Sequence, residues 1–413
     1  MTGDSQRKCL RILEVTIDKA FKMFKEKYPD ISLGLSSFTS LRPRNVRLTR
    51  CATRYVCCCP LHVNADNLRS ALKRILKHSG QENAVDLTSN ESWTSSFICE
   101  NANILCYERN CSICKSKQPE IDYDKLKCSV SCAKNDVDCH DHEVKFQYFE
   151  RIKYLYKNQE KKKLDLVQKS VSFKDFFKLI NTFMPRFLMH RFNVKHTEDQ
   201  LSHIIENLGE NEVLLIQDFS ENYSCLLPVE PMSIHWTTEQ ATVYPVVGLH
   251  KVDVNTIKED HFVFTSDDKT HDPAFVECCF SYISSFYQER LGADVSFLEV
   301  NDGCAQQYKC AKAFYMFAQR KEVMKRMYFE SSHGKNKSDG LGGVVKSFAT
   351  RAVCSEQMVI KNAKQLHDFF DERLTISNGS GTAVNRRFIY IYSNSPQLLD
   401  FRKKISKLSL KTI

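Results

Sequence analysis

The sequence predicts an α/β protein: a mixed sheet with flanking helices, preceded by a Cys/His-rich zinc-binding region and a helical connector. Three observations predict it. Twelve of the 18 cysteines lie in the first 140 residues, charged and apolar residues alternate at helical spacing from about 143 to 210, and beyond that point three apolar runs follow one another at hairpin intervals. With 413 residues, 42% of them hydrophobic and 26% charged, the chain is long enough for several folded domains and too apolar for wholesale disorder.

Residues 1–142 form the Cys/His-rich region. It opens with a helical pattern in "CLRILEVTIDKAFKMFKEKYPD", and a second helix is expected at "NADNLRSALKRILKHSG", with Asn64 or Asp66 as its cap and Gly80 at its other end. Between them "SLRPRNVRLTR" holds Arg42, Arg44, Arg47 and Arg50, a basic cluster of the kind that contacts phosphates. "CCCPLHVN" supplies Cys57, Cys59 and His62, and "CENANILCYERNCSICK" supplies Cys99, Cys106, Cys111 and Cys114. With no signal peptide in view, a reducing interior favours metal ligation over disulfides. Tetrahedral Zn2+ takes four thiolates or imidazoles, so Cys111 and Cys114 with Cys59 and His62 are expected to form one site, and Cys57, Cys99 and Cys106 to contribute to a second. Cys128, Cys132, Cys139, His140 and His142 are a further group whose spacing matches no firm pattern.

The segment 143–210 reads as a helical connector. Its "EKKKL" run is expected to be a solvated helix face, with nuclear import or phosphate contact as alternatives.

Residues 211–355 read as the α/β core. "NEVLLIQDF", "TVYPVVGLHKV" and "DHFVFTSDD" are three successive strands; "DPAFVECCFSYISSFYQERLG" is a helix begun by Asp272-Pro273 and closed by Gly292. The strand "VSFLEV", a helix, the strand "RMYFESS" and a glycine-rich turn into "VVKSFATRAV" follow. Three strands and then alternating helix and strand is the element order of a ribonuclease-H-like core. Residues 356–413 form a C-terminal extension, expected to add a helix and an edge strand.

Two strands of this core end on aspartates, Asp218 and Asp302. A lone aspartate after a strand is an ordinary turn former, and "NDG" is a common turn. Paired on neighbouring strands, they become candidate ligands for hard cations, Mg2+ or Mn2+, which prefer oxygen and in pairs support phosphodiester chemistry. Asp339, at the start of the last core helix, is the preferred third carboxylate over Glu330. His333 and Lys335 are candidate phosphate contacts, and Gly340, Gly342 and Gly343 would admit close approach of backbone to DNA. Asp267, Asp268 and His271 are read as a turn and helix cap.

Taken together, "YPDISLGLSSFTSLRPRNVRLTR", "CCCPLHVN", "DFSENY", "HWTTEQATVYPVVGLHK", "NDGCAQQYK" and "SHGKNKSDGLGGVVK" resemble a widespread set of animal proteins similar to transposases of cut-and-paste DNA elements with a ribonuclease-H-like DDE/D core. The resemblance runs from about residue 25 to about 355. It implies the trio Asp218, Asp302 and Asp339, and a zinc-binding, DNA-recognising N-terminal part carried by Cys57, Cys59, His62, Cys106, Cys111 and Cys114. It also implies a homo-oligomer. The pattern has serine where this chain has Asn301 and no carboxylate at Glu330, and it lacks the segment from Cys128 to His142.

The function expected is therefore that of a nuclear, DNA-binding transposase or transposase-derived protein. A catalytically inactive DNA-binding descendant and a nuclease without strand transfer are the alternatives. The net charge of +9 favours a polyanionic partner, and no apolar run reaches the roughly 18 to 20 residues needed to span a bilayer.

Overall fold

In the computed structural model the described residues are 11–13, 17–43, 46–48, 59–121, 143–225, 227, 239–253, 256–330, 333, 336–356, 358–375 and 385–407. The chain divides into two compact units, Met1–Cys58 and Cys59–Ile413. In the first, strands β1 (Arg11–Leu13) and β2 (Val46–Leu48) pair in parallel, and helices α1 (Ile17–Lys27) and α2 (Leu35–Ser40) meet through Phe21, Phe24 and Phe38.

The second unit begins with helix α3 (Pro60–His78), followed by the short helices α4 (Asn90–Ser95) and α5 (Ile104–Tyr107). Helix α3 starts earlier than the sequence suggested, with Cys59 at its N-cap and proline at its first position. Asn64 lies inside the helix and bonds both the N–H and the carbonyl of Phe149, at 2.6 and 2.9 Å.

Phe149 belongs to a β-hairpin, β3 (Val144–Tyr156) and β4 (Gln159–Val171), where the sequence reading placed helix. Alternation of apolar and charged residues over "VKFQYFERIKYLY" fits a period of two as well as helical spacing. Lys157 and Asn158 decide it: both take positive φ, 49° and 60°, making the tight turn whose twist matches that of paired strands. The helical part of the connector is α6 (Phe173–Glu206), a single 34-residue helix.

The first half of α6 (Phe176, Phe177, Ile180, Phe183, Phe187) shares one hydrophobic core with α3, Trp93, Phe97, Cys106, Cys114 and the base of the hairpin. This is why the chain divides after Cys58 rather than near residue 142. The second half packs Leu201, Ile204 and Ile205 against the sheet that follows.

That sheet has strands β5 (Glu212–Gln217), β6 (Ser220–Ser224), β7 (Gln240–Asp253), β8 (Thr256–Ser266), β9 (Ser296–Asn301), β10 (Val323–Tyr328) and β11 (Asn385–Ile391). Its order is β10-β9-β5-β7-β8-β11, with β6 paired to β7. The β5–β7 and β7–β8 pairs are antiparallel; β5–β9, β9–β10 and β8–β11 are parallel. Helices α9 (Lys337–Glu356) and α10 (Ala363–Leu374) cover one face; α7 (Pro273–Leu291), α8 (Ala311–Gln319) and α11 (Pro396–Ser406) cover the other. The alternation of β5 serves both faces, with Leu214 and Ile216 on the first and Val213 and Leu215 on the second. The C-terminal extension thus adds two helices and the edge strand β11.

Candidate functional site

Register brings the first two aspartates together. Ile216 of β5 pairs with Val300 of β9 in a parallel ladder, so two residues further on Asp218 and Asp302 leave neighbouring strands at the same level. Strands so paired lie about 4.8 Å apart. Asp302 accepts the Cys304 N–H at 2.9 Å, the "NDG" turn that the sequence shows.

Asp339 reaches the same place from helix α9. Asn336 caps the helix, its Oδ1 accepting from the Ser338 and Asp339 N–H groups at 2.7 and 3.3 Å, while its own N–H donates to Asp339 Oδ2 at 3.3 Å. Buried Ser338 donates to the Pro245 carbonyl of β7 at 2.5 Å and pins the helix start to the sheet. Gly342 completes the docking, since a Cβ there would lie 2.8 Å from Ser220 Oγ; its glycine serves packing of the helix on the sheet.

The three carboxylates feel one another. Burial pushes the Asp218 carboxyl up, and the charges of Asp302 and Asp339 push it further, to about 8. A half-buried cation, Lys346, is the group that sequence reading missed here. Burial lowers its pKa against the opposing pull of Glu221 and Asp339, and its ammonium donates to the Glu221 carbonyl at 2.8 Å.

Glu330 stands elsewhere. Its Oε1 lies 3.1 Å from His190 Nδ1, and His190 Nε2 lies 3.2 Å from Cys59 Sγ. His62 Nδ1 and His333 Nε2 are 3.2 Å apart and close the group. The ligand atoms of Cys59, His62, His190 and His333 all lie within 4.8 Å of one another. Tetrahedral zinc with bonds of about 2.0–2.3 Å sets its ligand atoms roughly 3.3–3.8 Å apart, so the group is of the right size and chemistry. Burial raises the Cys59 thiol, but hydrogen bonds with His190 and His62 outweigh that and bring it down to about 4. His190 is held above its usual range: burial opposes this, and Cys59 and Glu330 prevail.

A second group unites Cys99, Cys106, Cys111 and Cys114, again within 4.8 Å, with Cys99 and Cys111 sulfurs 3.9 Å apart. Backbone N–H groups of Cys114 and Ile113 draw the Cys111 thiol down to about 6. The two groups could each hold a metal such as zinc.

The expected partition of ligands is therefore corrected. Cys111 and Cys114 join Cys99 and Cys106, while Cys59 and His62 join two histidines from α6 and from the segment before α9. His333 sits among metal-ligand groups, away from the role of phosphate contact expected for it. Nothing local marks His190, a lone histidine on the apolar face of a long helix; only the tertiary fold gives it partners. Cys57, Arg44, Arg50, Lys335 and the group Cys128, Cys132, Cys139, His140 and His142 lie outside the described residues, as does the side chain of Arg47. Arg42 donates to the Val46 carbonyl, so its guanidinium is engaged within the first unit.

Asp268 makes the expected turn by accepting the Thr270 N–H at 2.8 Å, whereas the helix cap is Asp272 and none of Asp267, Asp268 and His271. Asp267 accepts from Ser393 and Tyr390, Asp268 pairs with Arg402 at 2.6 Å, and His271 stacks on Phe219.

Two family models match the chain, both described as domains of unknown function: DUF8701 over residues 198–393 and DUF8699 over residues 1–50. The first spans the end of α6 and the whole sheet with its three aspartates; the second falls within the first compact unit. No curated protein and no solved structure matches the chain. Among the described residues no helix is long and apolar enough to cross a membrane.

Proposed function

We propose that this protein is a transposase or a transposase-derived protein acting on DNA in the nucleus, with Asp218, Asp302 and Asp339 as the carboxylates of a metal-dependent phosphodiester-cleaving site. The observation that carries the reading is the convergence of these three side chains, from the ends of two neighbouring parallel strands and the first turn of one helix, with Asp218 shifted by the other two. Strand order supports it: β5, β7 and β8 run as an antiparallel meander, and β9 and β10 add on the other side parallel to β5. A ribonuclease-H-like core would have such an arrangement.

Mg2+ or Mn2+ would be held by the three carboxylates, and when bound would activate the attacking water or hydroxyl and stabilise the leaving oxygen. The chain's own residues prepare the place. Asp218, which burial and its two neighbours keep protonated near neutral pH, would release that proton to solvent as a cation binds. Ser338 and Asn336 fix Asp339, and Lys346, on which the charge of Asp339 acts, is a cation available to a substrate phosphate held there. Zn2+ at Cys59, His62, His190 and His333 would tie α3, α6 and the segment leading into α9 together, six residues from Asp339. Zn2+ at the four-cysteine group would close the loop that follows α4.

Joining DNA ends takes two such sites, so a homo-oligomer on DNA belongs to the proposal. The test is cleavage of duplex DNA with Mg2+ or Mn2+, with a free 3′-hydroxyl target supplied. Cutting lost in Asp218→Asn with DNA binding retained supports the reading, and joined product distinguishes a transposase from a nuclease. Equal cutting by both proteins contradicts it, and DNA binding without cutting by the wild type favours the inactive descendant.

A further inference from the structure

The β3–β4 hairpin has a base and an arm of opposite character. At the base Val144 and Phe146 are buried, Phe146 meets Phe176 at 5.4 Å between ring centroids, and Asn64 grips the Phe149 backbone. The arm, residues 151–164, pairs among the described residues only with itself. It exposes Leu155 to 79%, and leaves Leu164, Tyr156 and Tyr154 open to solvent.

Within those 14 residues stand Arg151, Lys153, Lys157, Lys161, Lys162 and Lys163 against the single carboxylate of Glu160, a net +5 beside +9 for the entire chain. Register sets Lys153 directly opposite Lys162, a like-charge pairing that weakens a hairpin, and Tyr154 opposite Lys161. Lys153 pairs with Glu160 and Lys163 with Asp165, both at 2.8 Å. Among the described residues Arg151, Lys157, Lys161 and Lys162 have no carboxylate partner; Lys161 and Lys157 lie over the Tyr156 ring, at 4.5 and 5.5 Å. Lysines on a free strand also prevent edge-to-edge aggregation. Protection of an edge, however, gives no reason to expose two tyrosines and two leucines between them.

We propose that this arm is a duplex-DNA contact: a two-stranded ribbon whose lysines neutralise backbone phosphates while its aromatic tip enters the major groove. The proposal rests on the DNA reading above and adds to it the element that makes the contact. A groove about 12 Å wide admits a two-stranded ribbon. Six residues per strand extend roughly 20 Å, a little over half of the ~34 Å turn of B-DNA.

The experiment is fluorescence anisotropy of a labelled 30-base-pair duplex with the full chain, titrated at salt concentrations from about 50 to 200 mM. The proteins are wild type, the triple variant Lys161→Ala, Lys162→Ala, Lys163→Ala, and a control triple at the C-terminal end of α11, Lys403→Ala, Lys404→Ala, Lys407→Ala. The exposed arm should tolerate its changes, and circular dichroism checks the fold. The arm variant is expected to bind at least tenfold more weakly, with the salt slope reduced by about 2 to 3 as three phosphate contacts are lost, while the control stays near wild type. Equal binding by wild type and arm variant overturns this inference and leaves the DNA reading standing. Equal losses in both triples overturn it too, because any lysines would then serve. Failure of the wild type to bind duplex DNA, or a marked preference for RNA, overturns both readings.

Discussion

His190 Nδ1 lies 3.1 Å from Glu330 Oε1 while its other nitrogen faces the Cys59 sulfur at 3.2 Å, so one buried imidazole joins a strand end of the sheet to the start of α3. Metal-bound histidines commonly hold their second nitrogen on a carboxylate, which fixes the ring and raises its basicity. Glu330 is placed to fill that role for a metal held by His190.

The first prediction follows from that pairing. Purified under reducing conditions, the protein should carry zinc at both described clusters. Glu330→Gln should weaken zinc retention at the histidine-rich site about 10- to 100-fold, while Cys111→Ser should empty only the four-cysteine site. Metal analysis after graded chelation checks both, and zinc retention unchanged by Glu330→Gln would separate Glu330 from the metal.

The second prediction concerns pH. The folded Asp218 carboxyl, raised to about 8, is well above the ~3.9 of an unfolded chain. The folded state therefore holds a proton there that the unfolded state releases. Without added divalent ions, the destabilisation by Asp218 is absent below pH 4, grows through the interval from 4 to 8, and is complete above it. Asp218→Asn should accordingly be more stable than wild type by roughly 2–4 kcal/mol at pH 8, after allowance for partial exposure, and by progressively less as pH falls. Urea denaturation across that range measures it, and a difference independent of pH would contradict the account.

Much of this arrangement was legible in the sequence. The three-strand meander, helix α7 with its Asp272 cap and closing Gly292, and the placing of Asp218 and Asp302 at strand ends all depend on local signals: apolar runs, turn residues and caps. The β3–β4 hairpin was not legible, because its charge alternation satisfies two periods and only the positive φ of Lys157 and Asn158 separates them. Nor was the ligand partition. Cys59 and His62 are joined to His190 and His333 across 131 and 271 residues respectively, and no spacing rule reaches so far.

A third prediction tests the sheet beside the aspartates. Glu299 of β9 is fully buried, paired with Arg326 at 2.6 Å and with Arg320, which also holds Glu277 at 2.7 Å. Burial raises its pKa, but the two guanidinium groups outweigh burial and hold it below the usual range. Its contribution to stability is thus present above about pH 4.3 and is lost as pH falls through the depressed folded value. Glu299→Gln leaves two buried arginines short of charge and should cost about 3–5 kcal/mol at neutral pH. Thermal unfolding within about a degree of wild type would refute this.

Gly342→Ala should disturb the seating of α9. The new methyl meets Ser220 Oγ at 2.8 Å, so the helix start must shift or strain by about 1–3 kcal/mol. Because Asp339 rides on the same turn, Mn2+ affinity should fall together with stability. Gly340→Ala, where the space is open, should leave Mn2+ affinity unchanged and stabilise the helix by up to about 1 kcal/mol.

The central claim is that three aspartates make one cation site, and manganese titration calorimetry with a short DNA duplex tests it most directly. Wild type should bind Mn2+, and Asp302→Asn should bind it at least tenfold more weakly while keeping its fold and its zinc. Equal Mn2+ binding by the two proteins would make the aspartates turn and cap residues, and the proposed catalytic site would fall.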